Sequence, residues 1–289
     1  MKVKAQNAFR VSVPPRSSGV EIHSAMQALR DFQDEVHLHA GSVQFVTPRE
    51  ICGLRALIEH AAGVADCVRF DCPVNDDVHR YLARVDFYAD LPANVDLSRP
   101  VPSLRRRDLR QRLIEVVRIR TPDDVEDLVG RVWGVAKGHF GIGSLAMACA
   151  TAIAAATENV IDHARSPIGA LVCAQRYQQT GLELAVVDLG RGIPTTLRQN
   201  PTHRGLTDLR AVERAIEDGV SSVQDQGRGA GLAELVHGVG RTRRSGLRLS
   251  SGRAELTLGW ENGRRSRNLA VPAHPIVGTW LAVRLEART

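Results

Sequence analysis

The stretch Asp188-Leu189-Gly190-Arg191-Gly192-Ile193-Pro194 directly follows the apolar run Leu184–Val187, and its reading decides the fold. The run has the length and composition of a buried strand, so the aspartate falls at a strand end. A carboxylate placed there can accept a hydrogen bond from an exocyclic amine such as that of adenine. The two glycines let the backbone turn tightly and approach a ligand without a Cβ in the way. The same residues would also suit an ordinary Asp-Gly turn.

Upstream, the alanine-rich segment Ile142–Ala164 predicts one long helix that ends in Glu158-Asn159-Val160-Ile161-Asp162-His163-Ala164. Asn159, Asp162 and His163 stand at i, i+3 and i+4, hence on one helical face. An amide oxygen suits magnesium, a hard cation that prefers oxygen ligands and keeps several waters. A solvated helix end would carry similar residues. Downstream, Gly227-Arg228-Gly229-Ala230-Gly231-Leu232 leads into a predicted helix. Backbone amides of a glycine-rich loop at a helix start make an anion site. No apolar strand precedes this run, so it is not a Rossmann fingerprint.

The order of these three boxes, followed by the closing strand Gly278-Thr279-Trp280-Leu281-Ala282-Val283, resembles the GHKL (histidine kinase-like) ATPase superfamily over roughly residues 110–289. Anti-sigma-factor-type kinases are among its members. The resemblance implies a Bergerat α/β sandwich over 105–289 that binds ATP with Mg2+. Asn159 matches the magnesium-coordinating asparagine, and Asp188, with Gly190, Gly192 and Ile193, the adenine-reading box. Gly227, Gly229, Gly231 and Leu232 match the box that closes over the phosphates. Asp162, His163 and Thr279 fall in the same cofactor-binding set, and Thr195–Gln226 would be a mobile lid. One departure concerns turnover. Hydrolytic members and anti-sigma kinases place a general-base glutamate one turn before the asparagine, where this chain has Ala155. Glu158 is rotated about 100° from Asn159, which leaves Asp162 as the better stand-in for a catalytic carboxylate. Neither His139 nor His163 lies in a phospho-acceptor segment.

Residues 22–98 read as a separate small α/β domain after a loose, proline-containing arm at 1–21, with a linker near Leu91–Pro102. Helices are predicted over Ser24–Val36, from Ile51 to Gly63 and over Asp76–Arg84, with strands over Val36–Val46 and Cys67–Phe70. Val43-Gln44-Phe45-Val46-Thr47-Pro48, Leu54-Arg55-Ala56-Leu57 and Asp77–Leu82 resemble STAS-type domains. In STAS antagonists of anti-sigma factors, the loop at this place carries a phosphorylated serine. Here Thr47 is the nearby hydroxyl, with Pro48 and Arg49 where serines would stand. His37 and His39 lack further flanking metal ligands.

Composition bounds the rest. The chain has 289 residues, 43% hydrophobic and 24% charged, which excludes wholesale disorder. No apolar run approaches the roughly 20 residues of a membrane span, and no apolar core follows Lys2 and Lys4, so neither membrane insertion nor a signal peptide is expected. Five cysteines form no CxxC pair. Reduced thiols in a cytoplasmic protein are expected. Without a Gly-Lys-Ser or Gly-Lys-Thr, a Walker A loop is excluded. Residues 1–104 carry a net −2 and 105–289 a net +8, but the arginines are scattered and aromatics are 4%, which weighs against nucleic acid as a partner.

The leading expectation is an ATP-binding regulatory protein whose lid, ordered by Mg-ATP, controls a protein partner of sigma/anti-sigma or STAS type; a homodimer fits the same reading. The rival is an active slow ATPase or a serine/threonine kinase acting on a STAS-type partner. A scaffold with a vestigial site is the third.

Overall fold

The computed structural model describes residues 8–14, 19–29, 31–105, 108–140, 144–177, 181–217, 231–242 and 244–286. It is a mixed α/β protein with two sheets. The first sheet is four-stranded and parallel, in the order β1 (Ala8–Ser12), β2 (Gln33–His39), β3 (Ala65–Asp71), β4 (Val95–Leu97). Helices α1 (Val20–Ala28), α2 (Pro48–Ala62) and α3 (Asp76–Arg84) connect successive strands. Right-handed crossovers between strands that neighbour one another in sequence order put the connecting helices on one face. The strands alternate to match: Val36 and Leu38 of β2 align with Val68 and Phe70 of β3, all buried. Glu35, His37 and Arg69 alternate onto the opposite face, where Glu35 contacts both His37 and Arg69.

Several expectations change here. The arm at 1–21 is not wholly loose, because β1 pairs with β2 along the sheet edge. The first helix spans Val20–Ala28 rather than Ser24–Val36. Its buried stripe is Ile22, Met26 and Leu29, whereas Phe32 is 65% exposed. Pairing with β3 claims Gln33 onward as strand, and tertiary pairing outweighs local helix propensity. Residues 43–46 are loop instead of strand. The Leu91–Pro102 stretch contains β4, whose Val95 aligns with Val68. Thr47 is the N-cap of α2: its hydroxyl accepts from the Glu50 amide while the Glu50 carboxylate accepts from the Thr47 amide. That capping box engages the hydroxyl a phosphorylation would need.

The second sheet is seven-stranded and antiparallel throughout, in the order β10-β9-β8-β11-β7-β6-β5. In chain order its elements are β5 (Leu113–Ile119), α4 (Pro122–Phe140), α5 (Ser144–Asn159), a π-helical turn (Val160–Ala164), β6 (Ala170–Tyr177), β7 (Gly181–Asp188), α6 (Gly192–Leu197), α7 (Asp208–Arg214), α8 (Gly231–Gly240), β8 (Arg244–Gly252), β9 (Ala254–Glu261), β10 (Arg264–Ala270) and β11 (Ile276–Leu285). The single helix expected over Ile142–Ala164 is therefore α5 plus one π turn. β10 has no counterpart in the sequence reading, since its arginine-rich residues are mostly exposed at a sheet edge.

Helices α4, α5 and α8 cover one face of this sheet through Val172, Leu184, Val186, Leu249 and Leu281. Helix α2 covers the other. Leu171, Cys173, Ala185, Val187 and Trp280 share one continuous core with the parallel sheet. Helix α2 is thus buried between two sheets. A Cβ at Gly53 would lie 2.5 Å from the Trp280 ring, so glycine is what lets that ring seat on the helix. Buried Arg55 donates to the carbonyls of Phe87 (2.7 Å) and Asp90 (2.6 Å). Its partner Glu59 also pairs with Arg118 of β5, which ties the two sheets together.

Candidate functional site

Asp188 is the last residue of β7 and only 1% exposed. The Gly190 amide donates to its Oδ1 at 2.6 Å, and the amide and hydroxyl of Thr279 donate to the same carboxyl group. Burial pushes this carboxyl up to about 7, against the pull of those three donors.

The loop after Asp188 docks on the end of the asparagine-bearing helix. The Arg191 amide donates to the Ala164 carbonyl at 2.8 Å. A Cβ at Gly190 would sit 2.2 Å from that carbonyl oxygen. Gly192 has φ +77°, and its Cβ would meet the Ser251 hydroxyl at 2.7 Å. The glycines were expected to clear a path for a ligand. Their would-be side chains point instead into protein backbone and into Ser251, so close packing is what demands them.

Two residues missed by the sequence reading complete the site. The fully buried Ser251 hydroxyl donates to the Gly278 carbonyl (2.7 Å) and accepts from the Ile193 amide (2.9 Å). Ser251 thereby joins the end of β8, the Asp188 loop and β11. Gly278 has φ +72°, and a Cβ there would lie 2.0 Å from the Asp188 carbonyl oxygen. The Gly278-Thr279 pair in the closing strand is the one sequence signal pointing here. Nothing in the local pattern around Ser250-Ser251 marks Ser251.

The helix-end box is built otherwise. Asn159 ends α5 exposed, with no side-chain cap hydrogen bond, and helical backbone continues into the π turn. Asp162 is exposed and His163 half-buried. Ala164 closes the turn against Gly190, which brings this box and the Asp188 loop together. Asp162, however, lines a groove against α4 with Glu158 and Ala154, a set spaced four residues apart on one face. Asn159 is not part of that lining. Asp162 and Glu158 thus share the lining of one groove on the α4 side.

Of the glycine-rich box, Gly227 and Gly229 lie outside the described residues. Gly231 opens α8, and Leu232 packs with Ile193 on a small cluster of Leu197, Ala211 and Ala215. That cluster joins the last two boxes. Within residues 195–217, the described part of the expected lid, Arg198 pairs with Asp208, whose other oxygen accepts from the Arg253 amide at 2.7 Å. Among the described residues, no group of three or more His, Cys, Asp or Glu side chains is placed to hold a metal ion, and no helix is long and apolar enough to cross a membrane.

No family model matches the chain, and no curated protein matches it. Among solved structures it is similar to the topoisomerase IV ATP-binding domain of Francisella tularensis in complex with a small-molecule inhibitor, at 16% identity and a TM-score of 0.23. The alignment covers 40% of this chain and 29% of that one, less than a third of its length.

Proposed function

We propose that this chain is an ATP-binding regulatory protein of GHKL type, in which nucleotide occupancy controls contact with a protein partner. The observation that carries the reading is the buried Asp188 carboxyl, aligned at a strand end by Gly190 and Thr279. The adenine amine would donate to Asp188, and the phosphates would lie towards the segment that opens α8 at Gly231. Asn159 would offer its amide oxygen to Mg2+.

Binding is favoured over turnover by the chain's own residues. Ala155 occupies the place of a general base, and Glu158 and Asp162 line a groove against α4. An ATPase or a serine/threonine kinase acting on a STAS-type partner would need a carboxylate positioned beside Asn159. The N-terminal α/β unit is the natural relay to a partner, because Trp280 of β11 follows Thr279 directly and seats on α2.

Thermal unfolding with and without Mg-ATP tests this. Nucleotide at a hundredfold excess over its dissociation constant should stabilise the fold by about 2.7 kcal/mol. Asp188→Ala should abolish the gain. A folded wild-type protein that does not respond to millimolar Mg-ATP would end the proposal.

A further inference from the structure

The groove between the start of α4 and the end of α5 has a volume of about 250 Å³. Its apolar lining comes from Pro122, Val125, Val129, Ala154 and Ile161, and its acidic lining from Glu126, Glu158 and Asp162. All three acidic residues are exposed. We propose that this groove docks a protein segment presenting an aliphatic anchor flanked by arginine or lysine. The inference does not rest on the nucleotide reading, since it concerns residues that line the α4 side of α5.

Size points to the class of occupant. Sites for drug-sized ligands run to roughly 300–1,000 Å³, so this groove suits one or two aliphatic side chains. Charge points to the flanks. Elsewhere in the same unit several carboxylates are matched by arginine, as Glu115 is by Arg84 and Arg131 and Glu213 by Arg210 and Arg267, whereas Asp123 and Asp127 of α4, outside the groove lining, make no ion pair within the described residues. Glu126, Glu158 and Asp162 make no ion pair within the described residues. Their arrangement does not suit a metal, because no metal-holding group of three such side chains occurs among those residues. Three unmatched carboxylates around an apolar floor are complementary to a basic, amphipathic segment. Rim charges of this kind steer association and set its salt dependence. An anchored side chain would bridge α4 to the last turn before Asn159.

The test uses the full chain and two fluorescent peptides with the same pair of leucines, flanked in one by arginines and in the other by glutamates. Anisotropy titration should show binding of the arginine peptide and none of the glutamate peptide. Binding should weaken with added salt. Glu126→Lys should weaken it by about tenfold, and Ala154→Leu, which plugs the floor without touching charge, should do the same. Circular dichroism confirms that each variant is folded, and exposed Glu126 makes the first variant safe on that score. The proposal is overturned if the arginine peptide does not bind, or binds both variants as it binds wild type. It is equally overturned if the chain self-associates and Glu126→Lys abolishes that association, since a second copy would then be the occupant.

Discussion

The two pieces that meet at the Ala164–Gly190 contact are built on opposite terms. On the strand side, Asp188 is buried, receives three hydrogen bonds and is locked by Ser251 and Gly278. On the helix side, Asn159 is exposed, uncapped and followed by a π turn. Such turns recur at functional sites because they interrupt the regular ladder. The difference teaches where recognition and adaptability reside: the group that would read a base is over-determined by packing, and the group that would meet a metal is left free to adjust.

Breaking the rigid side should have the largest effect. Gly278→Ala would force a Cβ to within 2.0 Å of the Asp188 carbonyl oxygen at φ +72°. Left-handed strain and overpacking together should cost about 4 kcal/mol, read as a lowered urea midpoint. A midpoint within error of wild type would show that the strand-side lock is softer than its geometry.

The Asp188 carboxyl provides the next test. Its folded value of about 7 exceeds the ordinary 3.8. The folded state therefore holds a proton that the unfolded state has already lost, and stability declines as pH rises towards and through 7. Between about pH 5 and pH 8 the wild type should lose on the order of 3 kcal/mol relative to Asp188→Asn, which does not titrate. Parallel stability curves for the two proteins would contradict the buried, half-ionised carboxyl.

The smallest expected effect on stability sharpens the contrast. Asn159→Ala removes an exposed side chain and should change nucleotide-free stability by no more than about 0.5 kcal/mol. It should nevertheless reduce the stabilisation conferred by Mg-ATP. A large loss of stability without ligand would mean that the helix side is as tightly determined as the strand side.

Legibility in the sequence follows the same divide. The apolar run ending in Asp188 announced a strand-end carboxylate because strand and residue are contiguous. At the start of α4 the Thr121 hydroxyl accepts from the Asp124 amide, a cap made by residues three apart. Ser251 could not be read, because its partners Ile193 and Gly278 are 58 and 27 residues away. β10 was invisible for another reason: an edge strand of exposed arginines carries no apolar alternation. The first helix begins one turn earlier than expected and ends two turns earlier, because Met26, Leu29 and Phe32 look like a stripe until β2 draws the chain away after Leu29.

What the chain's order of residues determined alone was local: an α/β composition, a helix over Asp76–Arg84, an acid after an apolar strand, and an alanine where a base would stand. These depend on neighbours a few positions apart, where spacing and propensity act directly. Tertiary structure alone decided that Gly190 serves Ala164 and not a ligand, that Glu158 and Asp162 line a groove against α4, and that α2 lies buried between two sheets. Each of those outcomes depends on which distant surfaces close on one another, and no window of sequence contains both sides of such a contact.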